Sequence, residues 1–255
     1  MAGAGDLLLL FDIDGTLMAG ATAAHAAAVH QAICQVHSLS AVDRSLTRAI
    51  DPAGRTDPEI SRAILLAHGV SAERIDARAD DVRVATGEIY AQTCPADLSE
   101  FVLPGVPELL GALAARDDVR LSLVTGNYET VARVKLRAAG VGQWFASGQG
   151  GFGSDSEDRT DLPAVARARA SHWEFHDGEP GTRIPGGNSR IDPHPRERTV
   201  VIGDTPRDVA CALADDVRCI GVETGSFAAA ELTAAGAHAV AADTAALAAA
   251  IDALV

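Results

Sequence analysis

Leu7-Leu8-Leu9-Leu10-Phe11-Asp12-Ile13-Asp14-Gly15-Thr16 is the stretch that decides how this chain is read. Five apolar residues run without interruption and end on an acid. A strand buried on both faces of a parallel sheet has this pattern. Similar runs follow at Val119 to Val124, Thr199 to Gly203, Val217 to Val222 and, more weakly, Ala237 to Ala241. Between them lie stretches with helical character, such as Glu129 to Ala139 and Asp208 to Leu213. Strands alternating with helices predict βαβ units, an α/β fold with a parallel sheet and helices on both faces.

One region breaks the alternation. From Ala19 to about Phe101 the chain is rich in Ala, Arg, Glu and Leu and shows no strand pattern. Ala23 to Val36, Asp57 to His68 and Ala72 to Thr93 suit helices, so a helical module over 19–101 is expected to be inserted after the first strand. Leu103-Pro104-Gly105-Val106-Pro107 reads as the return into the sheet, giving a core of 1–18 and 102–255. A second interruption, 174–198, is polar and rich in Gly, Pro and Arg, and reads as a long loop inserted in the core.

Chemistry concentrates where strands end, the edge at which open α/β sheets bind ligands. Asp12 and Asp14 stand two residues apart there, and Gly15 gives the backbone freedom to turn. Hydrolysis of a phosphate monoester needs a nucleophile, a proton donor and a cation. One carboxylate can attack phosphorus, and a second can protonate the leaving oxygen and then activate water. Val201-Ile202-Gly203-Asp204 ends another strand, and Asp208 follows one turn later. Mg²⁺ prefers carboxylate oxygen, so Asp204 with Asp12 suits it, while Asp208 serves equally as a metal group or as a helix-terminal cap. Leu121-Ser122-Leu123-Val124-Thr125-Gly126-Asn127 is a third strand end, where a hydroxyl and backbone N–H groups of Thr125, Gly126 and Asn127 can hold phosphate oxygens.

The ordered set DIDGT, VTGN and GDTPRD resembles the haloacid dehalogenase-like hydrolase superfamily, and more narrowly the branch containing phosphoglycolate phosphatases. The resemblance spans nearly the whole chain. It implies a Rossmann-like core with a helical cap after the first motif. It also implies Mg²⁺ held by Asp12, the backbone oxygen of Asp14, and Asp204. Asp12 would become the aspartyl phosphate, Asp14 the general acid and base, and Thr125 a phosphoryl ligand. The family usually carries a lysine in a KPxP stretch between the second and fourth motifs, and this sequence has none there. Asp158-Arg159-Thr160-Asp161 opens a helix at about that place, so Arg159 is the expected stand-in. The only lysine, Lys135, lies about three helical turns beyond Thr125 and is expected to point away from the strand end. Gly54-Arg55-Thr56-Asp57-Pro58-Glu59-Ile60 resembles a cap loop that reaches into the active site. Asp57 reads as a helix cap, and Arg55 as a cap residue or a contact for an anionic substrate.

The resulting expectation is a magnesium-dependent phosphatase acting on a small phosphorylated metabolite. Two relatives by chemistry stay open. A haloacid dehalogenase would not need Asp14 as an acid, whereas a phosphosugar mutase would need both acids. A third alternative, a phosphoryl-accepting signalling receiver, also uses strand-end aspartates, but the large insertion and the late GDTPRD oppose it. The bulk composition agrees. Formal net charge is −14 without a basic run, which speaks against nucleic acid as a partner. No apolar run is long enough to span a bilayer, and the start lacks the basic region of a signal peptide, so a cytoplasmic protein is expected. Cys34, Cys94, Cys211 and Cys219 form no CxxC pair and read as reduced thiols. His25, His30, His37 and His68 have no metal-ligand spacing and read as ordinary residues of helices.

Overall fold

The computed structural model describes residues 6–171, 173–174, 182–183 and 192–254. Within these, β1 (Leu7–Phe11), β2 (Val119–Thr125), β3 (Gly151–Phe152), β6 (Thr199–Gly203), β7 (Arg218–Val222) and β8 (Ala239–Ala241) form one six-stranded sheet. The sheet order is β3-β2-β1-β6-β7-β8 and every pairing is parallel. A separate antiparallel ribbon pairs β4 (Trp173–Glu174) with β5 (Thr182–Arg183). The chain builds outward from β1 to β3, then crosses to the other side of β1. The strand order therefore reverses between β1 and β6, and a crevice opens at their carboxyl ends. Phe11 sits opposite Leu123 on one side and Ile202 on the other. That register brings Asp12, Thr125 and Asp204 to one edge.

The unbroken apolar run of β1 is explained by its two covered faces. Leu7, Leu9 and Phe11 point into a core shared with α6 (Val106–Ala114), α7 (Glu129–Ala138) and α11 (Thr244–Asp252). Leu8 and Leu10 point the other way, against α8 (Leu162–Ala170), α9 (Pro206–Ala214) and α10 (Ala229–Ala235). Side chains alternate faces along a strand, so both faces of a central strand must be apolar.

Between β1 and α6 lie five helices: α1 (Ala23–His37), α2 (Arg44–Thr47), α3 (Asp57–Ala67), α4 (Ala72–Asp76) and α5 (Ala79–Thr93). They have a core of their own, with Ile33, Ile64, Leu65, Ile75 and Val82 buried together. Ala28 and Tyr90 join them to Tyr128 and Val131 at α7. The expected single helix over Ala72 to Thr93 is two, broken at Ala77 and Arg78, where no Gly or Pro marks the break. Two expected strands are shorter than the apolar runs: β7 starts at Arg218 and β8 at Ala239.

Most of the 174–198 segment lies outside the described residues. Its described end is packed: Arg167 pairs with buried Asp215 at 2.7 Å and donates to the His194 carbonyl at 2.7 Å. Among the described residues no helix is long and apolar enough to cross a membrane. The four cysteines are free, with Cys211 and Cys219 buried.

Candidate active site

Asp12 leaves β1 with its backbone N–H bonded to the Ile202 carbonyl at 2.9 Å, which fixes it against β6. The chain then turns at Gly15, which has φ +92°, a conformation that favours glycine. A Cβ there would lie 2.2 Å from Asp204 Oδ2, and one at Gly225 would lie 1.7 Å from the same oxygen. Two glycines thus let backbone close on both sides of the Asp204 carboxylate. Thr16 donates to Asp204 Oδ1 at 3.1 Å, and Thr224 donates to the Gly15 carbonyl at 2.6 Å.

Asp12, Asp204 and Asp208 are all buried, and each offers a carboxylate oxygen within 4.8 Å of the others. The cation facing them is Arg159, whose Nη2 is 3.2 Å from Asp12 Oδ1 and also binds Asp208 Oδ1. One guanidinium does not balance three buried carboxylates. Burial pushes Asp12 up to about 6, with Arg159 pulling down and Asp208 and Asp14 pushing up. Burial and the charges of Asp12 and Asp208 push Asp204 up to about 8. Such a set of hard oxygens with excess negative charge fits a divalent cation. Asp208 is the most committed of the three. Its Oδ2 accepts from the Thr205 N–H at 3.0 Å and hydroxyl at 2.7 Å, closing a capping box on α9, while its Oδ1 takes Arg159.

Asp14, two residues from Asp12, belongs to a different network. Both its oxygens accept from Lys135 Nζ, at 3.0 and 2.8 Å, and Oδ2 also accepts from Asn127 Nδ2 at 3.0 Å. Burial raises its pKa, but the Lys135 ammonium and the hydrogen bonds from Lys135 and Asn127 outweigh burial and the net shift is downward. Lys135 itself is fully buried. Its Nζ reaches Asn127 Oδ1 at 3.2 Å and His25 Nδ1 at 3.4 Å. Asn127 Nδ2 also donates to Thr125 Oγ1 at 2.8 Å, so the second strand end is tied to the same network.

Lys135 therefore corrects the expectation that it points away. Helical side chains tilt toward the N-terminus, and Lys135 stands six residues into α7, on the buried face with Val131, Ala132 and Leu136. A four-carbon stem covers the remaining distance to the strand end. Arg159 lies where expected, beside Asp12. Both cations are in the site, each on its own carboxylate.

The inserted helices supply the other wall. A cavity of about 790 Å³ has Asp12, Asp14, Thr125, Arg159 and Asp204 at its base, and His25, Ile50, Arg55, Asp57 and Ile60 above. The Arg55 carbonyl lies over Gly126, where a Cβ would come within 2.2 Å of it. The Asp57 N–H donates to the Gly126 carbonyl at 2.8 Å. Arg55 Nη1 pairs with Glu59 at 3.0 Å. The Nε groups of Arg55 and Arg159 are buried without a hydrogen-bond partner among the described residues.

The expected capping role of Asp57 belongs to Thr56, whose hydroxyl accepts from Glu59 N–H at 3.2 Å. Asp57 stands in the first turn of α3, buried, and its Oδ2 meets His25 Nε2 at 3.0 Å and the Tyr128 N–H at 2.7 Å. His25 is likewise more than a helix residue. The sequence carried two signals for this network: a lone lysine on an apolar helix face, and an acid directly before Pro58 in a first turn.

The chain belongs to the haloacid dehalogenase-like hydrolases, whose family model matches residues 9–213. Among curated proteins no sequence matches it. Solved structures share its fold at low identity. A predicted phosphatase from Clostridium acetobutylicum is 19% identical with TM-score 0.62, covering 97% of this chain and 99% of that one. A candidate beta-phosphoglucomutase from Bacteroides vulgatus is 18% identical with TM-score 0.60, covering 99% and 90%. A hydrolase from Pseudomonas syringae is 18% identical with TM-score 0.58, covering 97% and 98%.

Proposed function

We propose that this haloacid dehalogenase-like hydrolase is a magnesium-dependent phosphatase that hydrolyses a small phosphorylated metabolite through an aspartyl phosphate on Asp12. The observation that carries the reading is the split between two neighbouring carboxylates. Asp12 faces the cavity within a cluster that has excess negative charge, and Asp14 is held apart by Lys135.

Asp12, Asp204 and the Asp14 backbone oxygen would hold Mg²⁺, with Asp208 acting on the site through Arg159. When bound, the ion offsets charge on the phosphoryl oxygens and keeps Asp12 ionised as a nucleophile. Asp12 attacks phosphorus in line as the alkoxide leaves. Asp14 gives that oxygen a proton, then takes one from the water that attacks phosphorus and releases phosphate. Its low pKa in the resting state means that it must first acquire a proton, as substrate brings negative charge beside it. Arg159 and Thr125 line the cavity base, where a guanidinium and a hydroxyl would face phosphoryl oxygens. Helices over 19–101 act as a cap that shields the acyl phosphate from bulk water, and Arg55 in the cavity wall contacts the anionic substrate.

A mutase remains the second reading, because it uses the same two acids. The test is turnover of p-nitrophenyl phosphate and of alkyl monophosphates with Mg²⁺. Release of inorganic phosphate that excess EDTA stops and Asp12→Asn abolishes supports the phosphatase. Isomerisation of a sugar phosphate without net phosphate release supports the mutase, and turnover in EDTA overturns the magnesium assignment.

A further inference from the structure

The protonation pattern around Lys135 can be worked out from its partners. An ammonium has three N–H donors and no acceptor. Nζ has three partners: the Asp14 carboxylate, Asn127 Oδ1 at 3.2 Å and His25 Nδ1 at 3.4 Å. All three protons are then used, so His25 Nδ1 accepts. The proton of the neutral ring must sit on Nε2, and Nε2 donates to Asp57 Oδ2 at 3.0 Å. That oxygen also accepts from the Tyr128 N–H at 2.7 Å. The ring meets Tyr90 edge-on, with centroids 5.7 Å apart, which fixes its plane.

The chain of contacts runs Tyr128, Asp57, His25, Lys135, Asp14. It crosses between the helical insertion and the sheet twice. His25 lies on α1 and Asp57 on α3, whereas Tyr128, Lys135 and Asp14 lie outside the inserted helices. A buried lysine with a flexible stem has no fixed position of its own. Asp14 and Asn127 hold it from the sheet side, and a ring from the inserted helices supplies its third acceptor.

We infer that His25 and Asp57 are positioning residues that fix Lys135, and through it the Asp14 carboxylate. This rests on the acid–base reading of Asp14. Neither residue touches Asp12, Asp204 or Arg159 in the described contacts. Their loss should therefore act on proton transfer to the leaving group, and not on nucleophile or metal.

The experiment compares His25→Leu with His25→Gln on the full-length protein, using p-nitrophenyl phosphate as the good leaving group and a simple alkyl phosphate as the poor one. Glutamine can accept from Lys135 through Oε1 and donate to Asp57 through Nε2; leucine can do neither. The expected result for His25→Leu is a fall in kcat of roughly tenfold or more on the alkyl phosphate, a much smaller fall on p-nitrophenyl phosphate, and KM and Mg²⁺ requirement within about twofold. His25→Gln should recover most of the alkyl phosphate rate. Equal losses on both substrates, a change confined to KM, or no recovery with glutamine would overturn the inference. If His25→Leu does not fold, His25→Asn takes its place, being polar yet too short to bridge both partners. Asp14→Asn is measured alongside. If it fails to slow the poor leaving group more than the good one, the acid–base reading itself has failed and the inference falls with it. If Asp14→Asn shows that preference and His25→Leu does not, only the inference is wrong.

Discussion

Asp12 and Asp14 are the same residue type, two positions apart, and the fold treats them in opposite ways. Asp12 is enclosed by sheet ends, shares Arg159 with Asp208, and stands near Asp204, so burial and like charge raise it to about 6. Asp14 turns toward α7, where the Lys135 ammonium and hydrogen bonds from Lys135 and Asn127 more than offset its burial. In the first environment one guanidinium faces three carboxylates, and in the second an ammonium sits on one. On the proposed reading it is environment, not residue type, that separates attacking group from proton carrier.

The most severe way to break the comparison is Asp12→Asn, which on the proposed reading removes the nucleophile and one metal charge. Turnover should fall below detection in a folded protein, and retention of most activity would refute covalent catalysis. Asp204→Ala should come next. Activity should require a much higher Mg²⁺ concentration, read from a titration against initial rate. An unchanged requirement would remove Asp204 from the metal site.

Arg159→Ala separates the two environments, since it leaves Asp14 untouched. It should lower kcat by about a hundredfold or more, because a charge-stabilising group at the reacting phosphoryl is worth that much. Lys135→Ala attacks the other side. The sequence alone suggested that it would leave kinetics nearly intact. With Lys135 buried on the part-exposed Asp14, the variant should instead slow the poor leaving group and destabilise the fold by about 2 kcal/mol, the scale of hydrogen bonds to a charged group. A variant with wild-type Tm and wild-type rates would contradict the second environment altogether.

The smallest effect is a pH dependence of stability. Asp12 and Asp204 have folded pKa values of about 6 and about 8, above the ordinary carboxylate value of 3.8. The folded state then holds more protons than the unfolded one between about 4 and 8. Their contribution is fully present below that window and is lost as pH rises through it. Metal-free protein should therefore lose Tm from pH 5 to pH 8 through these two groups. Added Mg²⁺ should raise Tm most at the upper end, by selective binding to the folded state. A metal effect that does not grow with pH would speak against a carboxylate site.

How much of this was legible in the sequence follows from what each feature depends on. β1 was read to the residue, because double burial leaves a continuous apolar run ending at Asp12. Arg159 was found by its place between motifs. β3 was not seen, since two residues carry no periodicity. The break at Ala77 and Arg78 was missed because tertiary contacts set it: Ile75 packs with Ile33 and Ile64, and Arg62 ties down Asp76. Lys135 was misplaced because residues counted along a helix ignore the tilt and length of the side chain. The contact of His25 with Lys135 joins residues 110 positions apart, and no local pattern announces it.

Reaction of the Asp14→Asn protein with p-nitrophenyl phosphate and Mg²⁺, acid-quenched within the first turnover and mapped by peptide mass spectrometry, tests the central claim most directly. With water activation impaired, the covalent species should accumulate. One phosphoryl group on Asp12, absent when EDTA is added before substrate, is the predicted result. Ongoing p-nitrophenolate release with an unmodified Asp12 peptide, or with the phosphoryl group on another residue, would contradict it.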